Sequence, residues 1–545
     1  MQPILSMASA LALLGAVPML AAQSAPAARL AAAIRPEVYR AHLTFLADDA
    51  LEGRAPATRG GDLAAKYIAA QFARLGLEPA GDDGSYFHRI PVVAHTPDPE
   101  LDVTAPERRA LRYRDDFVLW SMRDEPEVEV AAPVVFVGYG IDAPESAWND
   151  FAGADVKGRI IVALVNDPGL RDDALFRGKE LTYYGRWTYK LEEARRQGAA
   201  AILLVHTTES ATYPWSTVTG SWGKTQVSLA RTASPLLMAG WLSAETAGRL
   251  FAAGGQDLAA LSEQAARPGF RAVPLGVTLR AKVRSTLTRS ETVNVVARLP
   301  GKGPRSADAV LIGGHYDHLG IGMPVNGDSI YNGAEDNASG TAGVLALAEA
   351  FVASRVQPER SLLFMAFGAE ESGLIGSEAF AQRPTLPLRQ LAAVLNVDVV
   401  NLNGRTRDIG ALGSEHTSLG AGFAAAARAE GLRIVEDPNA RIEGSFFRSD
   451  HFPFAKAGVP AVSLASGLDF VDRPAGWGKA QREAYRAERY HRPQDELLPS
   501  FSVDGAMQQL RVVARLALAV ADAPGQPTWN STSEFAEVGR AREGR

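Results

Sequence analysis

Three apolar runs within residues 309–398 each end abruptly on acids or histidine, and this restricts the fold more than anything else in the chain. Ala309-Val-Leu-Ile-Gly-Gly leads into His315-Tyr-Asp317-His318, Ser361-Leu-Leu-Phe-Met-Ala-Phe-Gly into Ala369-Glu370-Glu371, and Leu391-Ala-Ala-Val-Leu-Asn396 into Val397-Asp398. Short continuous apolar runs bounded by turn residues read as strands buried on both faces. Between the first two lies Gly333-Ala-Glu-Asp336-Asn337-Ala-Ser-Gly340, which opens an apolar helix over residues 338–351. Strands alternating with helices predict an α/β sheet, in which ligands bind beyond the carboxyl ends of the strands. His315, Asp317, Asp336, Glu370, Glu371 and Asp398 are therefore expected to converge on one pocket.

The bulk properties set outer limits on what that pocket can be. At 545 residues the chain should hold two or three domains. A net charge of -6 argues against a nucleic-acid or anionic-membrane surface. With no cysteine, any metal site must be built from His, Asp and Glu. Residues 1–25 carry an apolar run from Ile4 to Leu20 followed by small residues, which predicts a signal peptide and export to the periplasm or medium, although no Lys or Arg precedes the run. No later stretch is apolar enough to span a membrane.

Along the chain, residues 36–98 read as a helical N-terminal part of the main domain, with apolar spacings of three and four from Leu43 to Leu75. The turn Glu52-Gly-Arg54-Ala-Pro divides its helices, and its charges are expected to be solvated. Residues 99–284 change texture to short β-branched runs, among them Val134-Val-Phe-Val137, Ile160-Ile-Val-Ala-Leu-Val165 and Ala201-Ile-Leu-Leu-Val205. With Gly138-Tyr-Gly140 and Asp155-Val-Lys-Gly158-Arg, this segment resembles the protease-associated domain inserted in several exopeptidase families. It holds no cluster of ligand-like acids and histidines, so a covering role is expected. Its aromatic stretch (Tyr183, Tyr184, Trp187, Tyr213, Trp215 and Trp222) reads either as a satellite core or as a wall over substrate. Residues 285–523 carry the strand-helix alternation and end in a helix over residues 503–520; residues 524–545 read as a loose polar tail.

Each acidic element has a plain explanation on its own. His-x-Asp is commonly a surface pair, Asp336-Asn-Ala-Ser suits a helix N-cap, and Glu370-Glu371 suits a solvated turn. Asp398 after a strongly apolar run is different, because a buried carboxylate needs a compensating partner. The joint occurrence at successive strand ends points to metal. Oxygen and imidazole donors without thiolate suit zinc, with cobalt or manganese as substitutes. Two ions about 3.5–4 Å apart can activate a water and polarise a carbonyl together.

The set His315-x-Asp317, Gly333-Ala-x-Asp336-Asn-Ala-Ser-Gly340, Glu370-Glu371, Asn396-x-Asp398 and Tyr490-His491 resembles the co-catalytic dizinc exopeptidases, the aminopeptidase and glutamate carboxypeptidase-like metallopeptidases. The resemblance covers residues 39–520. It implies a mixed-sheet, three-layer α/β peptidase domain with an inserted β-rich protease-associated domain, and two zinc ions per chain. It implies that Asp336 bridges the ions, that His315 and Asp398 complete one site, and that Glu371 and His491 complete the other. Glu370 takes the place of the general base, Asp317 that of the acid supporting His315, and Tyr490 that of a phenol at the oxyanion or of a packing residue. The Asp336–Asn337 peptide is implied to be cis.

His318, Asp450, His451 and Asp495 lie close enough in sequence to belong to the surroundings of the site, or to serve as ordinary loop residues. His42, His88, His95, His206 and His416 read as structural. The resemblance implies an exported enzyme that cleaves terminal peptide bonds with a metal-bound hydroxide, with an aminopeptidase as the leading reading and a peptide as its partner. A glutamate carboxypeptidase-like enzyme would need cations for a free carboxylate, for which Arg441 and Arg448 are available. A glutaminyl cyclase, with one zinc, and a non-catalytic receptor-like module are further alternatives, and relatives leave a homodimer open.

Overall fold

The computed structural model describes residues 24–230 and 234–544. The expected signal peptide therefore falls almost wholly outside the described residues. The described chain divides into two compact units: one of residues up to Ile90, Glu291–Asp437 and Phe446 onward, the other of Pro91–Ser290 with Pro438–Ser445. No described helix is long and apolar enough to cross a membrane.

The first unit is built on a mixed sheet. Its strands are the end of β1 (Val273–Leu299), β2 (Ala309–His315), β3 (Ser361–Phe367), β4 (Leu391–Asn396), β5 (Asp408–Leu412), β6 (Arg433–Ile434) and β7 (Ala461–Ser466). Their order is β6-β5-β7-β4-β2-β3-β1. The four central strands β7, β4, β2 and β3 run parallel; β1 pairs antiparallel with β3 and β5 antiparallel with β7, while β5 and the short β6 are parallel.

Strand alternation divides the core into two layers. Val310, Ile312, Leu362, Phe364 and Ala366 belong to one apolar cluster, with residues of α1 (Pro36–Leu46), α2 (Arg59–Arg74), α3 (Ser339–Ser354) and α6 (Asp504–Asp522). Leu311, Leu363, Met365 and Phe367 belong to a second, with Phe380 of α4 (Ile375–Gln382) and Phe454 of α5 (His451–Lys456). Successive side chains point to opposite faces of a strand, so covering both faces requires the uninterrupted apolar runs seen in the sequence. The same argument explains why α3 is apolar all round: it is buried along nearly its whole length.

The second unit holds a sheet in the order β1 (through residues 273–284), Glu127–Phe136, Ile160–Leu164, Ala201–His206, Met238–Ser243 and Phe117–Ser121. The helix Trp187–Arg196 connects two of its parallel strands, Ile160–Leu164 and Ala201–His206. The aromatic stretch packs as a core here. Trp222 lies 5.1 Å from Trp187, 5.6 Å from Trp241 and 6.3 Å from Tyr213, ring centre to ring centre. Arg441, a candidate for reading a free carboxylate, is paired with Glu180 at 3.0 Å within this unit.

Two sequence expectations are overturned. Residues 524–545 are not a loose tail: Trp529 and Phe535 are buried, and the Trp529 indole donates to the Gly458 carbonyl at 3.0 Å. Phe535 meets Phe446 and Phe452 at ring distances of 6.0 and 6.3 Å. Two large aromatics in a polar stretch supply enough apolar area to anchor it. Nor is the Glu52–Arg54 turn uniformly solvated, because Arg54 is fully buried.

Candidate metal centre

Register places the expected site residues at one edge of the sheet. His315, the last residue of β2, lies opposite Phe367 on β3, and Gly313 lies opposite Asn396 on β4. The chain therefore leaves all three strands on the same side, carrying Asp317, Glu370, Glu371 and Asp398 with it. Asp336 comes from the loop ahead of α3, and the Asp336–Asn337 peptide is cis.

Asp336 lies at the middle of this group, and each of its oxygens faces a different histidine. Oδ1 is 3.3 Å from His315 Nε2, and Oδ2 is 3.4 Å from His491 Nε2. His315 Nε2 is also 3.4 Å from Asp398 Oδ1, and His491 Nε2 is 3.0 Å from Glu371 Oε2. Donor atoms bound tetrahedrally at about 2.0–2.1 Å stand roughly 3.3–3.4 Å from one another, so both sets have the spacing of four-coordinate cation sites sharing one carboxylate. Two neutralising partners are already evident in the acid–base balance. Burial works to raise the Asp336 carboxyl, but His315 and His491 outweigh it and hold it well below the usual range. Burial and Asp336 likewise work to raise Glu371, and hydrogen bonds with His318 and His491 bring it down to about 2.

The surrounding residues fix these groups. Asn337 ties the Asp336 loop to the Asp398 loop: its Nδ2 donates to the Val397 carbonyl at 3.1 Å, and its Oδ1 accepts from Val399 and Gly340 amides at 3.0 and 2.8 Å. The Gly340 contact is the helix cap foreseen in the sequence. A methyl group at Gly340 would sit 2.2 Å from both Asn337 Oδ1 and the Val397 carbonyl oxygen. Gly340→Ala is accordingly expected to destabilise the protein by about 1–3 kcal/mol, read as a lower denaturant midpoint at unchanged slope.

Asp317 behaves differently from expectation. Its carboxylate accepts the amides of Glu370 and Glu371 at 3.0 and 3.3 Å. It reaches only 3.8 Å from His315 Nδ1, whose hydrogen-bonding neighbour is the Asp317 backbone oxygen at 3.2 Å. A fully buried carboxylate needs donors close by, and the nearest here are the two N–H groups of the acidic turn. It thereby aims Glu370 and Glu371.

The open assignments resolve into contacts. His318 is buried, with Nδ1 2.8 Å from Glu371 Oε1, so the two oxygens of Glu371 face two histidines. Asp495 is buried and accepts the Glu335 and Asp336 amides at 3.1 and 3.0 Å while pairing with Arg489 at 3.0 Å. Asp450 is buried and accepts from the Ser377 hydroxyl at 2.6 Å. His451 packs its ring 4.8 Å from that of Phe446, and burial pushes its imidazole down to about 3. Tyr490 stacks on His491 at 3.8 Å while remaining 45% exposed. Glu370 has its carboxyl raised well above the usual range by burial and by the nearby Glu371, Asp450 and Asp398 carboxylates.

Sequence reasoning missed Arg54 and Ser449. Ser449 donates to Asp398 Oδ2 and accepts from the Asn396 side chain at 2.7 Å. Neither carries a local signal, since a turn arginine and a loop serine are ordinary surface residues.

Residues 294–513 match Peptidase family M28. The match covers 220 of the 545 residues. The matched segment contains His315, Asp317, Asp336, Glu370, Glu371, Asp398 and His491, but not Arg54. Leupeptin-inactivating enzyme 1 of Streptomyces exfoliatus is 30% identical over 208 residues, 37% of this chain and 43% of the relative. A probable zinc metalloprotease of Pyrenophora teres f. teres is 38% identical over 115 residues, 21% of this chain and 23% of the relative. Leucine aminopeptidase 1 of Pyrenophora tritici-repentis is 25% identical over 239 residues, 42% of this chain and 55% of the relative. The chain thus spans about half or less of the length of each relative.

Proposed function

We propose that this chain is a zinc-dependent exopeptidase of the M28 type that removes residues from the amino terminus of peptides, with two zinc ions at the centre around Asp336. The observation that carries the reading is the pair of donor sets meeting on the two oxygens of Asp336. On this reading His315 and Asp398 would hold one ion and Glu371 and His491 the other, with Asp336 as the carboxylate shared between the two sets. The match of residues 294–513 to Peptidase family M28 and the printed names of the relatives, a leucine aminopeptidase and a probable zinc metalloprotease among them, support the same direction.

Zinc, when bound, supplies the acidity that makes water nucleophilic near neutral pH and polarises the scissile carbonyl. The chain's own residues do the rest. Glu370, aimed by the Asp317 contact to its amide, takes the proton from water and passes it to the departing amine. A raised carboxyl suits both halves of that transfer, since the group must accept and then release a proton. Tyr490, with its ring fixed on His491 and its edge exposed, is the phenol available to donate to the oxygen that becomes negative. His318 holds the far oxygen of Glu371, leaving Oε2 directed at the His491 side. The second unit is proposed to be a protease-associated insert that shapes substrate access.

Elemental analysis paired with substrate assays tests the proposal. Purified protein should carry close to two zinc ions per chain, and exhaustive chelation should abolish hydrolysis of aminoacyl chromogenic substrates, with recovery on adding zinc. One ion per chain, or turnover of N-blocked dipeptides in preference to free amino termini, would overturn the assignment.

A further inference from the structure

The Glu52–Arg54 turn lies far from the metal-site residues in sequence, yet Arg54 is among the most deeply buried side chains in the protein. The turn is pressed against the loop that precedes Asp336. Gly53 has φ +68°, and a methyl group there would meet the carbonyl oxygens of Tyr331 at 2.4 Å and Gly320 at 2.7 Å. That close approach leaves the next side chain nowhere to go but inward.

The Arg54 guanidinium donates to four backbone carbonyls. Nε reaches Tyr316 at 2.8 Å, Nη2 reaches Gly333 at 3.0 Å, and Nη1 reaches Asn332 at 2.5 Å and also the Leu46 carbonyl. The Arg54 carbonyl in turn accepts the His318 amide at 3.4 Å. Tyr316 stands between His315 and Asp317, and Asn332–Gly333 lead directly to Asp336. One planar group therefore binds both chain segments that bring His315 and Asp336 together.

The charge has a reason to be there as well. A buried guanidinium bonded only to neutral carbonyls is expensive unless negative charge lies close by. Burial lowers Arg54 to about 10, and Asp317, Asp495, Asp336 and Glu371 act in the opposite direction, so the group stays positive at neutral pH. It sits behind a centre crowded with carboxylates and offsets part of their mutual repulsion.

We infer that Arg54 is a positioning residue for the metal centre, clamping the Tyr316 and Asn332–Gly333 segments so that His315 and Asp336 stand at ligand spacing. The inference rests on the two-metal reading above. Lysine cannot replace it, because an ammonium presents its donors from a single point, whereas the fork spans carbonyls from three separate segments.

Arg54→Lys and Arg54→Gln, compared with wild type, test this. Zinc affinity is measured by competition with a chromophoric chelator, and the visible spectrum of the cobalt-substituted protein reports ligand geometry. The kcat and KM for an aminoacyl chromogenic substrate, and the melting of the metal-free protein, are recorded alongside. Both variants are expected to bind zinc about 10–100-fold more weakly, the range for lost partners of metal ligands. The cobalt bands should shift, and kcat should fall with KM within about twofold of wild type. If Arg54→Gln does not fold, Arg54→Lys, which keeps length and charge, carries the comparison. A lower melting temperature with wild-type zinc affinity, cobalt spectrum and kcat would assign Arg54 to fold stability alone and overturn the inference. Failure of the wild-type protein itself to bind two zinc ions would be a different result. It would remove the two-metal reading and the role of Arg54 with it.

Discussion

Glu370→Gln is expected to lower turnover by about 10²–10⁴-fold while zinc content stays at the wild-type level. The expectation follows from where the carboxylate sits. Glu370 leaves the end of β3 on a turn whose two amides are held by Asp317. In the proposed assignment it is the one acid of the turn that binds no metal. Glutamine matches its shape and can occupy the same turn, so neither the Asp317 contacts nor the ligand set is disturbed. What it lacks is the ability to take a proton and give it back. Single-turnover kinetics together with elemental analysis separate these properties. Loss of both metal and activity would recast Glu370 as a ligand, and undiminished turnover would remove it from the reaction.

Asp336→Asn is expected to empty the centre, with both zinc ions lost on dialysis against buffer that leaves wild type loaded. The aspartate offers one oxygen to each side, 3.3 Å from His315 and 3.4 Å from His491. Asparagine offers one oxygen and one NH2, and the latter cannot bind a cation. Whichever way the amide turns, one side loses its shared ligand and the other keeps a neutral one. Asp336 is also the group whose negative charge is best stabilised by both histidines, so the substitution removes the charge on which the two sides depend. The outcome contrasts with Glu370→Gln in the one measurement common to both, zinc per chain. Retention of two ions would exclude Asp336 as the bridge.

Much of this was legible in the sequence, for a definite reason. Strands covered on both faces must be apolar throughout, so an acid or histidine directly after such a run marks the strand end. His315, Glu370, Glu371 and Asp398 all stand at such ends. Asp336 was legible because an Asp-Asn-Ala-Ser run ahead of an apolar helix reads as a helix start, and Asn337 does cap α3 through Gly340. His491 has no such pattern around it and came only from the resemblance. What the sequence concealed is how the acids are held. The Asp317 carboxylate was expected on His315, but the backbone amides of Glu370 and Glu371 lie nearer. Arg54 was read as solvated because its neighbours in sequence are charged, and only the close approach of Gly53 to Tyr331 and Gly320 turns it inward. Trp529 and Phe535 show the same limit at the other end of the chain, where two aromatics anchor a segment whose average composition is polar.

The Asp495 contacts have a consequence for the order in which the centre is assembled. The short segment that carries His491 also carries Asp495, whose carboxylate receives the amides of Glu335 and Asp336. One late stretch of chain therefore delivers a proposed ligand and fastens the loop bearing the proposed bridge. During synthesis the strands β2, β3 and β4 emerge well before it, with their acids already gathered at one edge. Until residues 491–495 arrive, the Asp336 loop lacks its anchor and one side of the centre lacks its histidine. Tight capture of a second ion is then expected only once this stretch has folded into place, so metal alone does not complete the centre on a chain still lacking it.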